Sequence, residues 1–258
     1  APALQSRAES RDAPWIALLA GLLFVVHPLQ TQAVTYIVQR LESLAAGFYL
    51  LCVALYLKAR LRQLSERRWM AWYVASLLVG VLGAFAKETM VSIAGAIVLL
   101  EAGVLTEPGG GWRQAMARSL PRMAPYALLS AVVPVTLLML KTSSGSLLGD
   151  LSAMTGDAPA QSRWEYLASE FRVIVAYLRL TALPTWQNFD PAVRMVNTLR
   201  DGLTVGALGL LLLLVASAVR WLRRWPLQAV GVLWLALTIL PTSSVVVILD
   251  PMFEHRMY

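Results

Sequence analysis

Apolar residues along this chain come in long runs separated by short polar or basic segments, without the strict alternation that marks a half-buried strand. The runs lie at 15–28, 42–58, 69–86, 90–105, 123–141, 203–220 and 226–245. Stretches of about 15 to 20 apolar residues, with some flanking residues, are long enough to cross the hydrocarbon core as helices. Lipid offers no hydrogen bonds to a bare backbone, so these runs predict helices and not open strands. The fold class expected is all-α, a polytopic transmembrane helix bundle of about seven spans forming one domain over 1–258.

Lys and Arg fix the expected orientation. "KARLRQLSERR" (58–68) carries Lys58, Arg60, Arg62, Arg67 and Arg68. "GWRQAMARSLPR" (111–122) adds Arg113, Arg118 and Arg122, and "RWLRRW" (220–225) adds Arg220, Arg223 and Arg224. Seven alternating spans put all three basic segments on one side, which the positive-inside rule makes cytoplasmic. The opposite side then receives 27–41, the turn "AKETM" (86–90), the stretch 142–202 and the terminal "PTSSVVVILDPMFEHRMY" (241–258).

The long outer stretch divides in two. Residues 142–162 are rich in Ser, Gly and Ala and predict a loop. Residues 164–183, "WEYLASEFRVIVAYLRLTAL", predict a helix with Glu165, Arg172 and Arg179 on one face and Phe171, Val175, Leu178 and Ala182 on another. A crossing here would reverse the sidedness of the next basic loop. An amphipathic helix lying in the outer interface fits better, with Trp164, Tyr166, Tyr177 and Trp186 at headgroup depth; an eighth crossing is the alternative.

Composition changes the picture in two respects. Hydrophobic residues make up 58% of the chain and charged residues 14%, more apolar surface than a soluble domain of 258 residues can use. The net charge of +7 would suggest nucleic acid in a soluble protein, but concentrated in three loops it reads as cytoplasmic retention, with a lipid bilayer as the partner and no nucleic acid. Cys52, the single cysteine, excludes an intramolecular disulfide and a cysteine metal cluster. The chain opens at Ala1 with no signal-peptide pattern and is expected to be an excerpt of a longer protein.

Candidate chemistry gathers on the outer side. Lys87 and Glu88 interrupt a stretch of apolar sequence, where ionisable residues are costly unless paired or used. They are read either as a solvated hairpin turn or as a site, with Lys87 against a phosphate or sugar and Glu88 against a hydroxyl or basic neighbour. "PMFEHRMY" (251–258) brings Glu254, His255, Arg256 and Tyr258 together. Arg offers a planar fork suited to phosphate, and His can exchange a proton. "HPLQTQAVTYIVQR" (27–40) adds His27, Gln30, Thr31 and Arg40, followed by Glu42. His27, His255, Asp250 and Glu254 are residue types that can hold a divalent cation, but no HExxH or comparable spacing supports a metal site. No phosphate-binding GxxxxGK[ST] loop and no GxGxxG is present.

Four blocks in order, 27–60, 86–101 ("AKETMVSIAGAIVLLE"), 164–184 and 241–258, resemble bacterial membrane proteins with C-terminal tetratricopeptide repeats. Those in turn resemble the eukaryotic transmembrane and tetratricopeptide-repeat O-mannosyltransferases, of the GT-C class of glycosyltransferases. The family pattern HP-x-x-T-x-A-V, then an arginine and an acid, is matched by His27, Pro28, Thr31, Ala33, Val34, Arg40 and Glu42. Its K-E block is matched by Lys87, Glu88 and Thr89, and its late block by Glu254, His255, Arg256 and Tyr258.

The resemblance implies a bacterial inner-membrane enzyme whose site faces the periplasm. It would transfer a mannose-like sugar from a polyprenyl phosphate to a protein or glycan acceptor. His27, Gln30, Thr31, Arg40, Lys87, His255, Arg256 and Tyr258 would bind donor phosphate or substrate. Enzymes of that class place an acidic base in a first outer loop that is expected to lie before this chain, so the local acids Glu42, Glu88 and Glu254 are expected to position other groups. Two rivals remain open: a non-catalytic anchor presenting repeats to protein partners, and a transporter of polyprenyl-linked sugars. Transporters tend to bury ionisable groups mid-membrane within inverted repeats, and no repeat is visible here. An Asp or Glu in the parent's first outer loop would separate enzyme from anchor.

Overall fold

The computed structural model describes residues 12–30, 40–105, 112–143, 163–185 and 201–240, and those residues are helical with no strand among them. In chain order the helices are α1 (Ala13–Val26), α2 (Arg40–Leu64), α3 (Met70–Ala86), α4 (Ile93–Leu100), α5 (Trp112–Ser143), α6 (Arg163–Ala182), α7 (Gly202–Trp221) and α8 (Pro226–Ile239). A 3₁₀ turn, Glu88–Ser92, leads into α4, and a π turn, Glu101–Leu105, continues it. Each predicted run coincides with a helix, with ends shifted by a few residues. The largest shift is in α5, which starts near 112 and absorbs the basic segment as helix.

The helix ends follow local chemistry. Asp201 caps α7, its carboxylate accepting from the Thr204 N–H at 3.1 Å and the Thr204 hydroxyl at 3.2 Å, which satisfies a donor left open by the helix start. Pro226 opens α8, where its missing N–H costs nothing. The α2–α3 turn is closed by Glu66 in the left-handed region (φ 56°).

In α2 the buried residues Ala45, Tyr49, Cys52, Tyr56 and Ala59 recur at helical spacing and turn one face to the core. They meet Met90, Ile93 and Ile97 from the 3₁₀ turn and α4, and Tyr126 and Leu129 from α5. Tyr126 stands edge-on to Tyr56 and Tyr73, with centroids 5.4 and 6.0 Å apart. Its hydroxyl donates to Ser76, which in turn donates to the Cys52 carbonyl.

Glycines let α3 approach its neighbours. A Cβ at Gly80 would fall 2.7 Å from Leu129 Cδ2 and 3.3 Å from Cys52 Sγ, and one at Gly83 would fall 2.9 Å from Met90 Sδ and 3.1 Å from the Phe48 Cβ. Gly80→Val is therefore expected to cost about 1–3 kcal/mol through overpacking. Thermal unfolding of the detergent-purified parent measures it, and an unchanged midpoint would contradict the close packing.

The outward faces are strongly apolar. Helix α1 buries no residue at all, with Trp15 70% and Val25 72% exposed, and α7 exposes Leu203, Leu212, Leu213 and Val219. A helix apolar all round needs an apolar surrounding. Two helices, Arg40–Leu64 and Gly202–Trp221, are long and apolar enough to cross a membrane; α1, α3, the 89–105 segment and α8 are shorter apolar helices.

Helix α6 departs from its expected orientation. Its deeply buried residues are Ala168, Ser169, Glu170, Val173 and Tyr177, whereas Phe171, Val175 and Leu178 are half-buried and Ala182 is exposed. The helix packs beside α7, with Arg172 Nη1 3.7 Å from the Asp201 carboxylate. Tyr177 thus packs inside the protein and not on the outward face of the helix. The side chains of Trp164 and Tyr166, and all of Trp186, lie outside the described residues.

Candidate functional site

Two of the expected residues meet where α3 ends. Lys87 terminates α3 in extended conformation, its N–H donating to the Gly83 carbonyl at 3.1 Å. The 3₁₀ turn begins at once with Glu88. That break turns Lys87 away from the α3 axis and onto the first turn of α2, where its ammonium pairs with the Glu42 carboxylate. Both side chains are about one-fifth exposed, so the pair is accessible while partly withdrawn from water. Arg40, two residues before Glu42, is exposed at the first position of α2.

His27 caps the other side of the same connection. It follows α1 in extended conformation, and its ring is fixed at both nitrogens. Nδ1 accepts from the Leu29 N–H at 3.3 Å, and Nε2 lies 3.1 Å from the Thr181 carbonyl near the end of α6. A carbonyl only accepts, so Nε2 carries the proton and donates; Nδ1 is the acceptor nitrogen. In this arrangement His27 ties the start of the 27–39 connection to α6.

Of the sequence-derived site residues, the structure brings Lys87 and Glu42 into contact and places His27 and Arg40 at the two ends of one connection. Gln30 and Glu88 are described as backbone only. Thr31, Asp250, Glu254, His255, Arg256 and Tyr258 lie outside the described residues. Among the described residues, no three of His, Cys, Asp and Glu gather into a ligand set for a metal ion.

At the opposite end of the α2–α3 hairpin the structure holds a second polar cluster. Glu101, 3% exposed and at the start of the π turn, receives Arg60 through Nε and through Nη2 at 3.1 Å. The Tyr56 hydroxyl donates to it at 2.6 Å and the Ser119 hydroxyl at 2.8 Å. Arg60 also donates to Gln63 at 2.6 Å, and Arg122 donates to Ser119 at 3.1 Å. One carboxylate thereby joins α2 and α5 to the end of α4. Four donors converge on two oxygens, leaving the carboxylate no room to act as a base, so this cluster is a structural clamp.

Sequence reasoning missed that clamp. Arg60 counts there only as one of five basic residues in a cytoplasmic loop, and Glu101 is passed over inside the 90–105 run. The available signal was Glu101 itself, an ionisable residue inside a candidate span, which demands a partner.

Comparison with known proteins adds a partial relation. Over 178 residues, 68% of this chain, the sequence is 29% identical to Protein O-mannosyl-transferase Tmtc2 of Drosophila melanogaster, covering 18% of that protein. Over 85 residues, 32% of this chain, it is 35% identical to Protein O-mannosyl-transferase TMTC4 of Homo sapiens, covering 12% of it. The chain thus spans less than a fifth of the length of these relatives. No protein-family model and no solved structure matches it.

Proposed function

Starting from this distant relation to proteins named as O-mannosyl-transferases, we propose that the chain is part of a membrane glycosyltransferase of the GT-C type. The enzyme transfers a mannose-like sugar from a polyprenyl phosphate to a protein or glycan acceptor on the outer face of the membrane. The observation that carries this reading is the Lys87–Glu42 ion pair, which joins two of the sequence blocks that resemble the family. The broad apolar exterior and the three basic segments support a seven-span bundle, with the α1–α2 connection and the Lys87 turn outside and the α2–α3 turn inside.

The chemistry asks little covalent work of the protein. The acceptor hydroxyl attacks the anomeric carbon and gives up its proton to a carboxylate base, while the carbon–oxygen bond to the phosphate breaks and the electron pair leaves with the lipid phosphate. Stabilising that leaving charge is electrostatic work. Lys87 and Arg40 are the described cations placed for it, with Arg256 assigned from the sequence. Glu42 holds the Lys87 ammonium in position, and His27 braces the connection between them.

Sidedness is testable without removing the native thiol, because Cys52 is buried. A cysteine at exposed Pro184 is expected to react with a membrane-impermeant maleimide in intact cells, and one at Glu66 only after lysis; the reverse pattern would overturn the orientation. The activity is tested by incubating the purified full-length parent with polyprenyl-phosphate mannose and following sugar incorporation. Absence of transfer with an intact first outer loop would favour the anchor reading.

A further inference from the structure

The basic run that ends α2 does two different things. Successive helical residues are about 100° apart, so residues two apart face nearly opposite ways and residues four apart share a face. Arg60 accordingly turns inward to Glu101, while Lys58 and Arg62 turn outward. The outward face carries a groove of about 430 Å³. Its upper wall, toward the middle of α2, is apolar: Ala54, Leu57 and Leu61. Its lower end is cationic: Lys58, Arg62 and, from the turn after the helix, Arg67.

Trp72 of α3 marks the level of the cations. The Lys58 ammonium sits 3.5 Å from the indole centroid and the Arg62 guanidinium carbon 5.4 Å from it. These cations rest on a ring and not on a carboxylate, and among the described residues none of Lys58, Arg62 and Arg67 is in an ion pair. The neighbouring acid, Glu66, is exposed in the turn, next to the further cations Arg67 and Arg68. The Ser65 hydroxyl is committed to the Leu61 carbonyl at 3.0 Å, so recognition here falls to charge and to the apolar wall. Indole and cations together are the chemistry of a headgroup layer, and the apolar wall continues toward the hydrocarbon.

We propose that this groove binds one anionic phospholipid of the inner leaflet, its phosphate against Lys58, Arg62 and Arg67 and the first part of an acyl chain along Ala54, Leu57 and Leu61. A free phosphate would use the cations and leave the apolar wall idle. The site rests on the membrane reading but not on sugar transfer, since it lies at the opposite end of α2 from Lys87 and Glu42.

The test reconstitutes the full-length parent in phosphatidylcholine nanodiscs doped with a photoreactive phosphatidylglycerol and maps the adducts by peptide mass spectrometry. Adducts are expected within 54–72, falling roughly fivefold for each cation removed in Lys58→Ala, Arg62→Ala and Arg67→Ala. The charge-conserving Lys58→Arg should retain labelling, and excess inorganic phosphate should leave it unchanged. Should the combined variant not reconstitute, Arg67→Gln, in the turn after the helix, is decisive by itself: a several-fold fall supports the site and unchanged labelling overturns it. Equal labelling by photoreactive phosphatidylcholine, or displacement by phosphate, would also overturn it. No labelling of this segment by either lipid would sink the membrane placement along with the site.

Discussion

Glu101→Ala is expected to destabilise the protein by about 3–5 kcal/mol, because it strands the Arg60 guanidinium in a site where it has almost no water. The same change leaves the Tyr56 and Ser119 hydroxyls without their acceptor and uncouples α2 and α5 from the end of α4. Arg60→Met combined with Glu101→Leu should recover the part of the loss due to the stranded charge, since a buried ion pair replaced by apolar groups of similar volume is often neutral or better, while the Tyr56 and Ser119 hydroxyls still lack their acceptor. Thermal unfolding of the detergent-purified parent, variant by variant, measures both. A small effect of Glu101→Ala, or a double variant as unstable as the sum of its parts, would show that the cluster is solvated and does not clamp the bundle. Sugar transfer per folded molecule should be unchanged in the double variant, because the clamp lies at the far end of α2 from Lys87.

Lys87→Ala in the full-length parent is expected to lower sugar transfer roughly 10²- to 10³-fold, the loss typical of removing one preorganised group that stabilises developing charge. Expression and thermal stability should change little, since the Lys87–Glu42 pair is about one-fifth exposed and contributes little to the fold. Glu42→Gln tests whether Glu42 acts through Lys87. It should cost less than Lys87→Ala, and the double substitution should cost no more than Lys87→Ala alone, which is the non-additive pattern of a positioning residue. Wild-type transfer by Lys87→Ala would remove the phosphate assignment. A fully additive double variant would give Glu42 a role of its own.

Much of the architecture was legible in the chain. Long apolar runs specify helices wherever backbone groups must be satisfied internally, and seven of the eight helices, all but α6, fall where the runs are. The break at Lys87 and Glu88 was legible too, because two ionisable residues in apolar sequence interrupt the run. Helix α6 shows where this fails. Its polar and apolar residues are too mixed for spacing alone to choose a face, and the fold buries Tyr177 and Glu170.

Charge is where sequence and tertiary structure part most clearly. Counting Lys58, Arg60 and Arg62 as one basic segment is enough to set an expected orientation, because the positive-inside rule depends on number and not on direction. Only the fold separates them. Glu101 arrives from the end of α4 at the one azimuth of α2 that faces the core, so Arg60 is paired and buried while Lys58 and Arg62 stay outside against Trp72. The same holds for Lys87 and Glu42, 45 positions apart in the chain. Local pattern determined the helices and the class of residues at each end. Which charges meet was decided by packing, because an ion pair forms only where two elements bring opposite charges within reach.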